Sequence, residues 1–305
     1  MIRRLLSAAL VLAASATPAL AKDLDGALQY LPENVSTVVA VDLESTRGTA
    51  FFKDLQKELI DLTGYARDIA QMKKEADFDV MANARLIVYA GPDEVIKKAK
   101  ESLLIVEGTF DPAKIKDFFT KKSKVPVTEA KGPGGTYYLI GDSSAMAFHG
   151  NFAVFGSKAM FDNAMAAKAA GGKKTKVSAL VARFKSAKGG FAVIGGSAQL
   201  RKFLGKDFGD VQDVKSAGMT FDFSKGLALQ IVGVFTDANK ASSVAQSIAK
   251  DLSEMASEPD YKEVGLDTAL GKVETKASGA EVTMNLVLDG GSSKQLSASL
   301  KELFE

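Results

Sequence analysis

The sequence predicts an α+β fold of two similar halves, each a mainly antiparallel β-sheet with helices packed on one face. Three observations point there. Short stretches of period-two alternation recur along the chain, joined by turns rich in Gly, Pro and Asn. Between them, apolar residues at spacings of three and four mark helices. Two strand-to-helix joints, IVEGTFDPAK (Ile105 to Lys114) and IVGVFTDANK (Ile231 to Lys240), align without gaps, with Ile, Val, Asp and Lys at equivalent places.

The chain opens MIRRLLSAALVLAASATPALA. Arg3 and Arg4 form a positive start, Leu5 to Ala16 an apolar run, and Pro18 breaks it ahead of Ala19-Leu20-Ala21. This order predicts a Sec signal peptide over residues 1–21, cleaved after Ala21, and a periplasmic or secreted protein. The apolar run is shorter than the ~20 residues a spanning helix needs, and no later stretch is long and apolar enough to be a transmembrane segment.

The first half, residues 22–172, begins with LPENVSTVVAVDL. Pro32 and Asn34 make a turn, and Val38 to Leu43 is dense in β-branched residues. A helix is expected from Thr49 to about Ala76, where Phe51, Leu55, Leu59, Leu62, Tyr65, Ile69 and Met72 share one face. Strands follow near Ala84–Ala90 and Ser102–Phe110, then a helix from Asp111 to about Lys121. Four short strands are expected near Val125–Ala130, Thr136–Ile140, Ala145–Phe148 and Phe152–Phe155. Their connections are GPGG, GDSS and His149-Gly150-Asn151, the last a tight hairpin turn. A helix from Lys158 to about Ala170 closes the half.

The polar break GGKKTK, Gly171 to Lys176, precedes the second half, residues 173–305. A helix over Val177–Ala187 leads into the strand GGFAVIGG, and a short helix is expected over Ser197–Leu204. Ala217, Met219, Phe221 and Phe223 then alternate with polar or small residues, and Leu227–Phe235 is the next strand. Ala241, Val244, Ile248, Leu252 and Met255 mark one face of a helix from Ala238. Strands near Leu270–Thr275 and Glu281–Leu288 and a helix over Ser292–Phe304 complete the order. In the last strand Val282, Met284, Leu286 and Leu288 are expected to face the core.

The aligned joints and the recurring element order imply an internal duplication centred near Gly171–Lys176. Asp111 and Asp237 each stand where a helix N-cap belongs. A carboxylate there accepts hydrogen bonds from free helical N–H groups and complements the positive end of the helix dipole. Pro112 suits the first helical position. Both aspartates are therefore read as caps.

Several chemistries find little support. There is no cysteine, which removes disulfides, thiol nucleophiles and thiolate metal sites. Lys and Arg number 39 against 37 Asp and Glu, and loss of Arg3 and Arg4 brings the two into balance. A nucleic-acid partner needs a concentrated basic surface, so none is expected. His149 is the single histidine, and its place beside a Gly-Asn turn predicts a solvent-exposed position. Gly195-Gly196-Ser197 lies between a strand and a helix but lacks the spacing and lysine of a phosphate loop. No cofactor and no metal site is expected.

LPENVSTVVAVDL, VEGTFDPAKIKDFF and FAVFGSKAMFDNAM together resemble duplicated, secreted proteins of Gram-negative bacteria that carry no assigned activity. The resemblance covers most of Leu31 to Met165, with a fainter echo beyond, and implies no site residue. The function expected is a non-enzymatic periplasmic binding or envelope-support protein, with an apolar small molecule, a lipid or an envelope protein as partner. The ligand is placed between sheet and helix, at Phe51, Phe52, Leu55, Leu59 and Tyr65. The rival expectation is a hydrolase using a Ser–Lys or carboxylate pair.

Overall fold

The computed structural model describes residues 20–49, 53, 66–92, 101–123, 126–195, 213–222, 224, 226–263 and 266–292. Its described strands form one twelve-stranded sheet in which every pairing is antiparallel. In chain order they are β1 (Thr37–Asp42), β2 (Ala84–Gly91), β3 (Leu103–Gly108), β4 (Val127–Gly132), β5 (Gly135–Ile140), β6 (Ser144–His149) and β7 (Phe152–Ser157). Then come β8 (Gly190–Gly195), β9 (Val214–Asp222), β10 (Leu227–Phe235), β11 (Glu274–Ser278) and β12 (Glu281–Leu288). The order across the sheet is β11-β12-β10-β9-β8-β1-β2-β3-β7-β6-β5-β4.

The described helices are α1 (Leu20–Leu28), α2 (Leu43–Thr46), α3 (Ala66–Ala76), α4 (Val80–Asn83) and α5 (Pro112–Ser123). The rest are α6 (Lys158–Ala169), α7 (Ser178–Phe184), α8 (Ala238–Ser257), α9 (Pro259–Glu263) and α10 (Asp267–Leu270). Among the described residues no helix is long and apolar enough to cross a membrane.

The class expected from the sequence, α+β with a mainly antiparallel sheet, is the class observed. Two details differ. The sheet is continuous through the centre, because β1 pairs with β2 on one side and β8 on the other. The helices cover both faces. Val38 and Ala40 of β1 join a core with Leu24 of α1, Phe161 of α6 and Leu180 of α7. Val41 points the other way, into a core with Ala76 of α3 and Ile115 and Phe118 of α5. Alternate residues of a strand face opposite sides, and β1 is apolar at both sets, so each side needs a cover.

Aspartates start several helices. Asp111 Oδ1 accepts from the backbone N–H of Ala113 (2.9 Å) and Lys114 (3.3 Å), and Asp237 Oδ1 from that of Lys240 (3.0 Å). Asp42 and Asp79 cap α2 and α4 in the same way. After α8 is capped, Ala241, Val244, Ala245 and Ile248 fall on its buried face, the spacing its sequence prescribes. In the first half α5 follows β3, and the chain returns to place β7 beside β3. In the second α8 follows β10, and the chain returns to place β12 beside β10. The first half carries the β4–β5 hairpin in addition.

Helix α1 was not expected. It is short, and its buried residues Leu24 and Ala27 are only two positions of a pattern, too few to stand out in the sequence. Strand β11 starts later than expected, because Leu270 closes α10 instead. Of the helix expected over Thr49–Ala76, α3 is the described part. The proposed ligand residues Phe51, Phe52, Leu55, Leu59 and Tyr65 lie outside the described residues, as do the Ser197–Leu204 helix and the terminal helix beyond Ser292.

Candidate functional site

A pocket of about 110 Å³ lies between the β4–β5 turn, the end of β6 and α6. Its lining includes Tyr137, His149, Phe161, Asp162, Met165 and the turn Gly132–Gly135. The turn is sharp because Gly132 pairs with Gly135 across it and Gly135 takes a φ of 102°, which only glycine adopts without strain. Gly134 lies close over α6: a Cβ there would come within 2.9 Å of Met165 Sδ.

Helix α6 supplies one wall. Ser157 Oγ caps it by accepting from Met160 N–H, and Met160, Phe161, Ala164 and Met165 are buried. Tyr137 of β5 packs on Phe161 with ring centroids 5.3 Å apart. Lys158 pairs with Asp162 one helical turn on, and its Nζ lies 5.8 Å from the Tyr137 ring centroid. The charges at the rim are thus engaged with each other, and the interior is apolar.

His149 ends β6 and is half-buried, not a solvent-exposed turn residue. Alternation puts it on the face of Ala145 and Ala147, under α1 and α6, and its ring meets that of Tyr30 edge-on. Burial lowers its pKa, and the nearby Lys168 ammonium lowers it further. The imidazole is therefore neutral at pH 7. Lys168 is held by Gln29 Oε1 at 2.6 Å and lies over the Tyr30 ring. Burial pushes the Tyr30 phenol up to about 12, and its hydroxyl has no hydrogen-bond partner among the described residues.

A buried carboxylate stands two strands away. Glu107 of β3 is opposite Phe152 of β7, and Phe152 is opposite His149 of β6. Asn151 Nδ2 donates to Glu107 Oε1 at 2.6 Å, and Arg85 Nη1 lies 3.2 Å from the same oxygen. Arg85 Nε also reaches Glu44 at 2.7 Å. This network ties β2, β3 and the β6–β7 turn together. Phe152 separates it from the pocket.

Little in the local sequence marks this pocket: Tyr137, Phe161 and Met165 come together only through the tertiary approach of a hairpin turn to a distant helix. The one local signal is GPGG, a tight turn in which Gly134 lets the chain lie close over Met165 of α6. Elsewhere, Lys272 Nζ lies 3.3 Å from Ser292 Oγ, but on an exposed surface where Asp289 accepts from Ser292 N–H. Gly195 N–H donates to Ser36 O at 2.7 Å, so it is already engaged and does not face an anion. Gly171 and Gly172 close α6 by donating to Lys168 O and Ala167 O, the role expected of glycines at a helix end.

No family model matches this chain, and the comparison with curated proteins found no match. Solved structures are. Crystal form III of TP0453 matches with a TM-score of 0.55 at 11% identity, over 90% of this chain and 97% of that one. Crystal form IV of TP0453 matches with a TM-score of 0.53 at 10% identity, over 93% and 97%. At such identity the likeness is one of fold alone.

Proposed function

We propose that the protein is a non-enzymatic binding or support protein of the bacterial envelope that takes an apolar ligand between its sheet and a helix. The observation that carries the reading is the pocket under α6, apolar inside and rimmed by the Lys158–Asp162 pair. Such a lining with few polar groups is what small-molecule sites have. This pocket is on α6; the residues expected from the sequence to hold the ligand, Phe51, Phe52, Leu55, Leu59 and Tyr65, lie outside the described residues. Export through the leader over residues 1–21 is part of the proposal, as is descent from a duplicated half with its Asp111 and Asp237 joints at equivalent places.

A thermal-unfolding titration with toluene tests it. Toluene should raise the unfolding temperature of the protein by binding its folded form, and Met165→Trp, which fills the pocket, should abolish most of that rise. An equal rise in both proteins counts against this pocket as the site. The rival hydrolase reading has one contact in its favour, Lys272 on Ser292. Its test is ester hydrolysis that disappears in Ser292→Ala.

A further inference from the structure

The pocket has a size, and its lining holds a half-buried imidazole beside Thr136, Tyr137 and Asp162; size and imidazole together select a ligand class. Its volume, about 110 Å³, is smaller than the roughly 300–1,000 Å³ of drug-sized sites. It approaches the ~150 Å³ apolar cavity that accepts benzene. An acyl chain of ordinary lipid length does not fit in it. The walls suit a flat ring: the Phe161 and Tyr137 rings stand at 41° to each other, and Met165 places its sulfur near the Gly134 turn. Sulfur and ring edges both pack well on aromatic faces.

The imidazole is that of His149. It lines the pocket, and among the described residues no hydrogen bond reaches it; the Tyr30 ring, the Lys168 charge and Phe152 across the strand pair lie near it. A purely apolar occupant would strip water from a ring nitrogen and give nothing back, which is costly. A carboxylate occupant would meet the Asp162 carboxylate, which lines the pocket, while Lys158 is already paired with Asp162. A neutral hydroxyl donor avoids both difficulties.

We propose that this pocket binds a single-ring phenol, its ring against the Tyr137, Phe161 and Met165 wall and its hydroxyl donating to the His149 imidazole. This rests on the apolar-binding reading above and narrows it to one chemical class.

The test is a titration of the mature chain with phenol, toluene and hexanoate, followed by the Met165 methyl resonance in ¹³C-methyl-labelled protein. Phenol should shift that resonance and bind about threefold to tenfold more tightly than toluene, the worth of one hydrogen bond. In His149→Phe the preference should vanish while toluene still binds, which also shows that the variant is folded. Toluene or hexanoate binding as tightly as phenol to the unaltered protein overturns the phenol assignment and leaves an apolar site. No shift with any of the three at millimolar concentration overturns the apolar-binding reading as well.

Discussion

The ring of Tyr30 stands edge-on to that of His149, with centroids 5.9 Å apart and planes at 86°, and Lys168 Nζ lies 5.1 Å from the centroid of the same Tyr30 ring. One aromatic residue thus separates the single histidine from a lysine, and its own hydroxyl is buried without a hydrogen-bond partner among the described residues. The ring contributes packing and the hydroxyl contributes a cost. Tyr30→Phe should therefore leave stability unchanged or raise it by about 1 kcal/mol, the order of an unmet buried polar group. Tyr30→Ala should cost about 3–5 kcal/mol, as other large-to-small core changes do. Urea denaturation of both variants checks this; a clear loss in Tyr30→Phe means that the hydroxyl is bonded in solution.

The same neighbourhood sets a pH dependence. The groups facing His149 are Tyr30 beyond α1, Lys168 and Asp162 of α6, and Tyr137 of β5. Its folded pKa lies below the ordinary histidine value, so between that value and about 6.5 the unfolded chain holds more protons than the folded one. Stability must then fall as pH drops through this window. Denaturation midpoints measured from pH 7.5 to 5 should decline for the unaltered protein and decline less for His149→Phe. Identical curves would mean that the ring is solvated.

The capped joints make a separate prediction. Asp111 holds two N–H groups of the first turn of α5, so Asp111→Ala should cost about 1 kcal/mol and Asp111→Asn less, since the amide oxygen still accepts. Asp237→Ala should act in the same direction through α8. Hydrogen bonds from Lys240 N–H, and the other donors around it, hold the Asp237 carboxyl below its ordinary range. Its contribution is therefore present above about pH 4 and lost as pH falls below that. Chemical denaturation reads all three variants, and a neutral Asp111→Ala would remove the capping account of that joint.

Those joints were legible in the sequence because a cap is local: an aspartate, then a helical pattern, with the partner N–H groups two or three residues on. The strands β2, β7, β8, β10 and β12 were legible for a similar reason, since alternation and β-branching are written along the strand itself. The burial of His149 was not. Its partners Tyr30 and Lys168 are distant in sequence, and the turn beside it gave the stronger local signal. Nor was the continuity of the sheet, because the β1–β8 pairing joins residues far apart, such as Val39 and Ala192. Nor does its local sequence mark Glu107 as buried, because its place depends on Arg85 at the start of β2 and Asn151 in the β6–β7 turn.

That buried carboxylate should be sensitive to its partners. Asn151→Ala removes the 2.6 Å bond to Glu107 Oε1 and should cost about 1.5–3 kcal/mol, the range for hydrogen bonds to charged groups. Because Phe152 stands between Glu107 and His149, phenol affinity should be unchanged in any Asn151→Ala protein that remains folded. Denaturation and the Met165 methyl titration together separate the two effects. Loss of phenol affinity in a folded variant would make Glu107 part of the site.

Native mass spectrometry of the protein taken from the cells that make it tests binding most directly. The account predicts a chain beginning at Lys22 that carries a small adduct, displaced by added phenol and absent from Met165→Trp. A bare chain in the unaltered protein, with no adduct formed on adding phenol, toluene or hexanoate, would contradict it.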